Sequence, residues 1–406
     1  MKKILVFSAV SLLIMPVVIA VACLLRGDPR GNHATFEEIP LDHAVLPPES
    51  AMTLAQIRLD SGEVSTLLVV DKSEETILAV DLFDIGVPHN SDVFEVASHV
   101  DSSAIITAYR DKFLHQQYSI AQLLPAGGIF DRHMATGTNF SGHAKEANSR
   151  GVFNFPKFGP ATPARTTVVR RPGVLLDYEV ELCVRFDRDI RSVEDFDAAQ
   201  KGFFLCADFT NRAILTRLVD PDNYNSGSGF SDSKSGRDFY PTGPFIVIPN
   251  DWKEFISSER MTTVVNGAAR QDARGGEMIL DFRQLAMRVL DHTQHPDQFL
   301  YKNSKVPLVI DRAIPRGAAL MSGTSEGVIF MPPTNCDILA GAWSAIINGQ
   351  IGSREAIVSA VKERFIRSEM DSGHFLQVGD VIEHQSSSMG DIRIKVVPLR
   401  TMDEAK

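Results

Sequence analysis

Cysteine is scarce in this chain. The four present, Cys23, Cys183, Cys206 and Cys336, lie far apart and follow no zinc-ligand spacing, so a zinc finger or ribbon is excluded. Cys183 and Cys206 sit in apolar, strand-like runs and read as small core residues. Positive charge is also short. With 41 Lys and Arg against 51 Asp and Glu, the formal net charge is -10, which argues against nucleic acid as a partner. Internal repeats and low-complexity tracts are absent. What the chain has is apolar content, 44% of 406 residues, enough to bury a large core. One big domain plus a smaller one is the natural expectation.

The one long apolar run is at the N-terminus. Lys2 and Lys3 precede Ile4–Leu25, and Arg26, Asp28 and Arg30 end it. A run of that length can span a bilayer as a helix. The sequence thus predicts a membrane anchor over residues 1–30 with the body on the extracytoplasmic, periplasmic side. A cleaved secretory signal is the alternative, and so is a lipoprotein acylated at Cys23. Residues 31–50 read as a linker. Short β-rich runs at Leu54–Leu59, Val64–Val70 and Thr76–Leu82, separated by turns, predict a small N-terminal β domain over 51–129, with a helix between Ser91 and His115. The Ser- and Gly-rich segment Asn223–Gly236 reads as a mobile loop, and Arg354–Arg367 as a helix.

Candidate chemistry begins with Leu176–Phe186, which alternates strictly. Leu176, Tyr178, Val180, Leu182, Val184 and Phe186 fall on one strand face, and Asp177, Glu179, Glu181, Cys183 and Arg185 on the other. Glu179 and Glu181 therefore point the same way, about 7 Å apart along the strand. Alone, this stretch reads as an antiparallel strand with a wet polar face. A hard divalent cation between the carboxylates is the sharper reading. Three other features stand beside it. Asp208 ends the apolar run Gly202–Ala207 and needs a partner, either Arg212 or a metal. His143 and Glu146 share one face of a short helix starting near Ser141, as a general base and its orienting carboxylate would. Lys234 precedes the apolar strand Phe245–Ile248.

Taken in order, His143…Glu146, then Asp177-Tyr178-Glu179-Val180-Glu181-Leu182, Asp208, and Lys234 before Phe239-x-Pro241-x-Gly243-Pro244, the chain resembles the fumarylacetoacetate hydrolase family. Val265-Asn266-Gly267, Ser322-Gly323-Thr324-Ser325-Glu326-Gly327 and Gln377-Val378-Gly379-Asp380 extend the similarity, which covers roughly Met52 to Pro398.

The resemblance implies a β-rich α+β fold: an incomplete mixed β-barrel or roll over 130–400, preceded by a small β domain. It implies a homodimer and an Mg²⁺ or Mn²⁺ ion held by Glu179, Glu181 and Asp208. His143, oriented by Glu146, would activate water. Lys234 would face the substrate oxygens, and Thr324 and Arg212 would join it in binding a small keto or diketo acid. The implied reaction is hydrolysis of a carbon–carbon bond in a 2,4-diketo acid. A decarboxylase, isomerase or hydratase acting on a 2-keto acid is the alternative within the family, and a non-catalytic, membrane-tethered binding protein is the alternative outside it. The family's Asp-x-Ser-Ala-Arg is Asp208-Phe209-Thr210-Asn211-Arg212 here, and Pro332–Phe375 is longer than a typical tail connection. Both departures bear on pocket shape more than on the metal ligands.

Overall fold

The computed structural model describes residues 37–399 apart from 38, 150, 221, 224–225, 292–297, 348 and 350–352. The β-rich runs form as expected, giving the strands Ala51–Arg58, Val64–Lys72 and Thr76–Asp81. The helix expected between Ser91 and His115 is instead two, Val93–Ser98 and Ser102–Arg110. Asp101 breaks it. Its backbone is extended and its carboxylate accepts the Ser103 N–H, so it caps a new helix instead of continuing the old one.

Ten strands make the main sheet. From one edge they are Gln116–Ser119, Thr76–Asp81, Val64–Lys72, Ala51–Arg58, Ile246–Pro249, Lys201–Ala207, Val180–Phe186, Leu320–Met321, Arg132–Gly137 and Phe153–Phe158. The N-terminal β unit is thus stitched to the rest, with Ala51–Leu54 pairing with Pro249–Ile246. A five-stranded sheet runs Ala268–Arg274, Arg260–Val265, Val381–Ser386, Asp391–Pro398 and Arg165–Arg170. Its Met261, Ile382, Ile392 and Ile394 share one buried core with Leu182, Val184 and Leu205 of the main sheet. The result is an α+β fold of large mixed sheets, and neither sheet closes on itself among the described residues.

The stretch Leu176–Phe186 differs from the single half-wet strand read from its alternation. It is two strands, Leu176–Asp177 and Val180–Phe186, and both faces are buried. The break has a cause in Asp177. Its carboxylate accepts the N–H groups of Tyr178 at 2.9 Å, Ile329 at 3.0 Å and Phe330 at 3.0 Å, which pulls the backbone out of the ladder. Several helices were also not foreseen, and two of them bear on the site. Phe230–Lys234 lies inside the segment read as a loop, and Asn335–Ile347 precedes the expected helix, which itself runs Arg354–Ser372.

No helix among the described residues is long and apolar enough to cross a membrane. The expected N-terminal transmembrane helix and membrane attachment are therefore not supported, and Ile4–Leu25, on which they rested, lies outside the described residues.

Cys183 and Cys206 are joined in a disulfide, not held as separate thiols. The strand register explains the meeting. Cys183 lies opposite Phe204 and Cys206 opposite Glu181, so the cysteines are diagonal neighbours on one sheet face, their Cα atoms 6.0 Å apart. Closing a 23-residue separation constrains the unfolded chain. Replacing both cysteines with alanine is expected to lower the unfolding free energy by about 3 kcal/mol, read as a lower urea midpoint. An unchanged midpoint would show that the crosslink does not stabilise the fold.

Candidate active site

The pairing of Val180–Phe186 with Lys201–Ala207 assembles the acidic centre. Glu181 lies opposite Cys206 and Val180 opposite Ala207. The next step places Asp208 beside Glu179, and the Asp208 N–H donates to the Glu179 carbonyl at 2.9 Å. Glu179, Glu181 and Asp208 are all buried, and each offers a carboxylate oxygen within 4.8 Å of the other two.

Three cations surround them. Lys234 Nζ bridges Glu179 Oε2 at 2.7 Å and Asp208 Oδ2 at 2.8 Å, and also donates to Thr210 Oγ1 at 2.9 Å. Lys157 Nζ contacts Asp208 Oδ1 at 2.6 Å. The Arg212 guanidinium joins Asp177 Oδ2 at 2.8 Å to Glu179 Oε1 at 2.6 Å. Burial would raise the Glu179 carboxyl, but the charges of Lys234 and Arg212 outweigh it and hold the group down at about 2. Glu181 goes the other way. Burial first, then the neighbouring Asp208 and Glu179 charges, pushes it well above the usual carboxylate range. Glu181 Oε2 accepts the Gly323 N–H at 2.9 Å, while Oε1 is buried without a hydrogen-bond partner.

That orphaned oxygen is the test of whether the residues suit a metal. Four carboxylates, counting Asp177, face three cations, and the uncompensated one is Glu181. Three anionic oxygen donors around one point suit a hard divalent cation, so the triad fits one. Lys234 supplies positive charge to two of the three ligands and leaves the third short.

The other expected residues gather at the same place. His143, Glu179, Arg212, Lys234 and Thr324 line one cavity of about 420 Å³. His143 Nδ1 lies 3.2 Å from Glu146 Oε2, and Glu146 Oε1 accepts the Gly327 N–H at 2.9 Å. The short helix carrying this pair, Ser141–Glu146, begins where Gly142 packs onto Glu326. A Cβ at Gly142 would meet the Glu326 carboxylate at 2.2 Å, so a larger residue would have to push that side chain aside. Thr324 Oγ1 donates to the Val180 carbonyl at 2.9 Å and accepts from Gln271 Nε2 at 2.8 Å. Its proton is committed, so a carboxylate on the cavity side could bind it only by exchanging the bond to Val180. Arg212 is held by its two carboxylates and stacks 5.1 Å from the Phe330 ring.

Lys157, Asp177, Gln271 and Glu326 were not marked by sequence reasoning. Lys157 had a signal. It is a lone charge in the apolar strand Phe153–Phe158, and such a residue must find a buried partner. The Gln271–Thr324 bond spans 53 residues and the contact between Glu326 and Gly142 far more, and neither left a local trace.

A carboxyl whose folded-state pKa lies above its unfolded value holds its proton more tightly in the native protein. The Glu181 contribution to the stability of the metal-free protein is therefore expected to be fullest below the ordinary glutamate range and to be lost as the pH rises above it, opposite in sign to the contribution of Glu179. Glu181→Gln should remove this loss, seen as thermal melting that varies less between acid and neutral pH. Binding Mn²⁺ to the native protein should displace the Glu181 proton. Calorimetry at neutral pH in buffers of different ionisation enthalpy should then read release of about one proton, with Kd tightening about tenfold per pH unit. Binding without proton release would show that Glu181 is already ionised.

The family described as fumarylacetoacetate (FAA) hydrolase C-terminal matches residues 132–397. Similar folds are found in a probable 2-hydroxyhepta-2,4-diene-1,7-dioate isomerase from Mycobacterium abscessus and in a fumarylacetoacetate hydrolase from the psychrophile Exiguobacterium antarcticum. Each has a TM-score of 0.51 at 16% identity, covering 86% of this chain and 100% of the other. At that identity the likeness speaks for the fold alone. No curated protein sequence matches the chain. The family match extends over well more than half of the chain and takes in the acidic triad, the His143–Glu146 pair and Lys234, so this protein belongs to the fumarylacetoacetate hydrolase family, whose members are hydrolases, isomerases and decarboxylases.

Proposed function

We propose that the protein is a metal-dependent hydrolase that cleaves a carbon–carbon bond in a 2,4-diketo acid of the acylpyruvate type. The observation that carries this reading is the presence of His143, Lys234 and Glu179 on the walls of one cavity, with Glu146 against the histidine. Glu179, Glu181 and Asp208 would hold Mg²⁺ or Mn²⁺, and the bound ion supplies positive charge for the keto-acid oxygens.

The chain's own residues supply the rest. An ionised Glu146 can only accept, so the proton on the His143 ring sits at Nδ1 and Nε2 is left free as a base. Nε2 takes a proton from water, and the resulting hydroxide attacks the distal carbonyl. The bond between that carbonyl carbon and its neighbour breaks, and its electron pair passes to the keto-acid fragment as an enolate. Lys234, whose ammonium is retained because Asp208 and Glu179 outweigh its burial, stabilises the enolate oxygen. The proton held by His143 then returns to carbon. Thr324 and Arg212 shape the wall where the keto-acid end lies. A decarboxylase would need the enolate-stabilising charges but no general base, so the His143–Glu146 pair favours hydrolysis over decarboxylation.

The buried disulfide supports an extracytoplasmic location, because such bonds persist in oxidising compartments. A homodimer, usual in the family, completes the proposal.

His143→Ala is expected to cut acylpyruvate turnover about 10²–10⁴-fold. Its Mn²⁺ affinity, measured by calorimetry, should stay unchanged, because the ligands are untouched. Glu146→Gln should cost less, since it keeps a hydrogen-bonding partner but loses the charge. Full hydrolase activity in His143→Ala would rule out His143 as the base that activates water, and absence of hydrolysis beside decarboxylation or isomerisation by the unaltered protein would make one of those the better reading.

A further inference from the structure

The cavity has two chemically different ends. The catalytic end carries His143, Glu179, Lys234 and Thr324. The far end is built by Leu215 and Val219 on one side and by the helical hairpin of Asn335–Ile347 and Arg354–Ser372 on the other, through Ile338, Ala342, Ile357 and Val361. Phe153, Phe230 and Phe330 line the same cavity.

Lys362 also lines the far end, but its Nζ donates to the backbone carbonyls of Val219 at 2.8 Å and Arg217 at 3.1 Å. Two of its three ammonium protons are thereby committed to the protein. Arg217 pairs with Glu363 at 2.7 Å on the outer surface and is likewise engaged. Among the described residues, a second carboxylate at the far end would find only Lys362, with one proton uncommitted, against otherwise mostly apolar walls, and would lose hydration there.

The wall is also fixed. A Cβ at Gly341 would lie 2.7 Å from the Val361 Cα, so the two hairpin helices cross at backbone contact. Arg217–Glu363 and Arg354–Asp222, the latter at 3.0 Å, tie the hairpin to the helix Arg212–Leu218 and to the loop that follows it. Phe330, which touches Arg212, packs edge-on against Phe365 of the second hairpin helix.

We infer that this hairpin determines specificity, and that the substrate carries an extended apolar tail on the side away from its keto-acid end, not a second carboxylate. The inference rests on the reading of the catalytic end as a keto-acid site. Each methylene transferred from water into such a wall tightens binding roughly fourfold until the space is filled.

The test uses the full-length protein with Mg²⁺ and calorimetric binding of straight-chain 2-oxo acids from pyruvate to 2-oxodecanoate, with 2-oxoadipate as the charged counterpart of 2-oxohexanoate. Affinity should climb with chain length, and 2-oxoadipate should bind more weakly than 2-oxohexanoate. Ile338→Asp should flatten the climb, with thermal melting used to confirm folding. Ile357→Asp, on the other helix, serves the same purpose if the first variant does not fold. A length-independent Kd, tighter binding of 2-oxoadipate, or no binding by any member would overturn the inference. Turnover of acetylpyruvate is measured separately. Its absence beside a length-dependent Kd would sink the hydrolase reading and leave the tail specificity standing, whereas turnover with a flat Kd would do the reverse.

Discussion

Everything at the site depends on one pairing register. The antiparallel ladder between Val180–Phe186 and Lys201–Ala207 sets Glu181 opposite Cys206, and so puts Asp208 next to Glu179. A slip of one residue would turn each carboxylate to the opposite face of the sheet. The disulfide lies on the same face, between the same two strands, directly beside the triad. It pins the register where an error would cost the most, because here the alternative to correct pairing is a buried carboxylate without countercharge.

The charges are arranged to hold the cluster together while leaving it one cation short. Lys157, Lys234 and Arg212 each touch a carboxylate that is fully buried or nearly so, and a buried carboxylate without such a partner would give up its charge. Glu181 has only the Gly323 N–H. A set of residues evolved purely for stability would be expected to complete the pairing. The shortfall localises the demand for a cation at Glu181, and the cluster thereby stores affinity for a ligand at the expense of the empty state.

Much of this was legible in the sequence, for identifiable reasons. Glu179 and Glu181 stood out because strict alternation sets them on one strand face, Asp208 because it ends an apolar run, and His143 and Glu146 because a spacing of three is short-range and regular. The strands of the N-terminal unit were legible from their turns. Other features were set by tertiary contact. Nothing local says that Asp177 captures three backbone N–H groups and splits a strand, or that two cysteines 23 residues apart become diagonal neighbours. Asn335–Ile347 was missed because its apolar residues crowd all sides without a 3.6-residue stripe, and because Gly341 at its centre disfavours a helix by about 1 kcal/mol relative to alanine. That glycine is explained only by the helix it touches.

The division of the cavity explains how one fold can keep a reaction while changing what it acts on. Glu181 stands on a strand of the central sheet with a ladder on both sides, Glu179 and Asp208 stand at the ends of that strand and its neighbour, and the proposed base His143 and Lys234 sit on short helices beside the sheet. The hairpin contributes to no sheet and reaches the site through side chains: Phe330 on Arg212, Phe365 on Phe330, and the paired surface charges. A helical insertion of this kind can be lengthened or repacked without disturbing the strand register that holds the carboxylates. Its influence then falls on what fits against its apolar face, while the uncompensated Glu181 and the proposed proton path through His143 stay where the sheet and its adjoining helix set them.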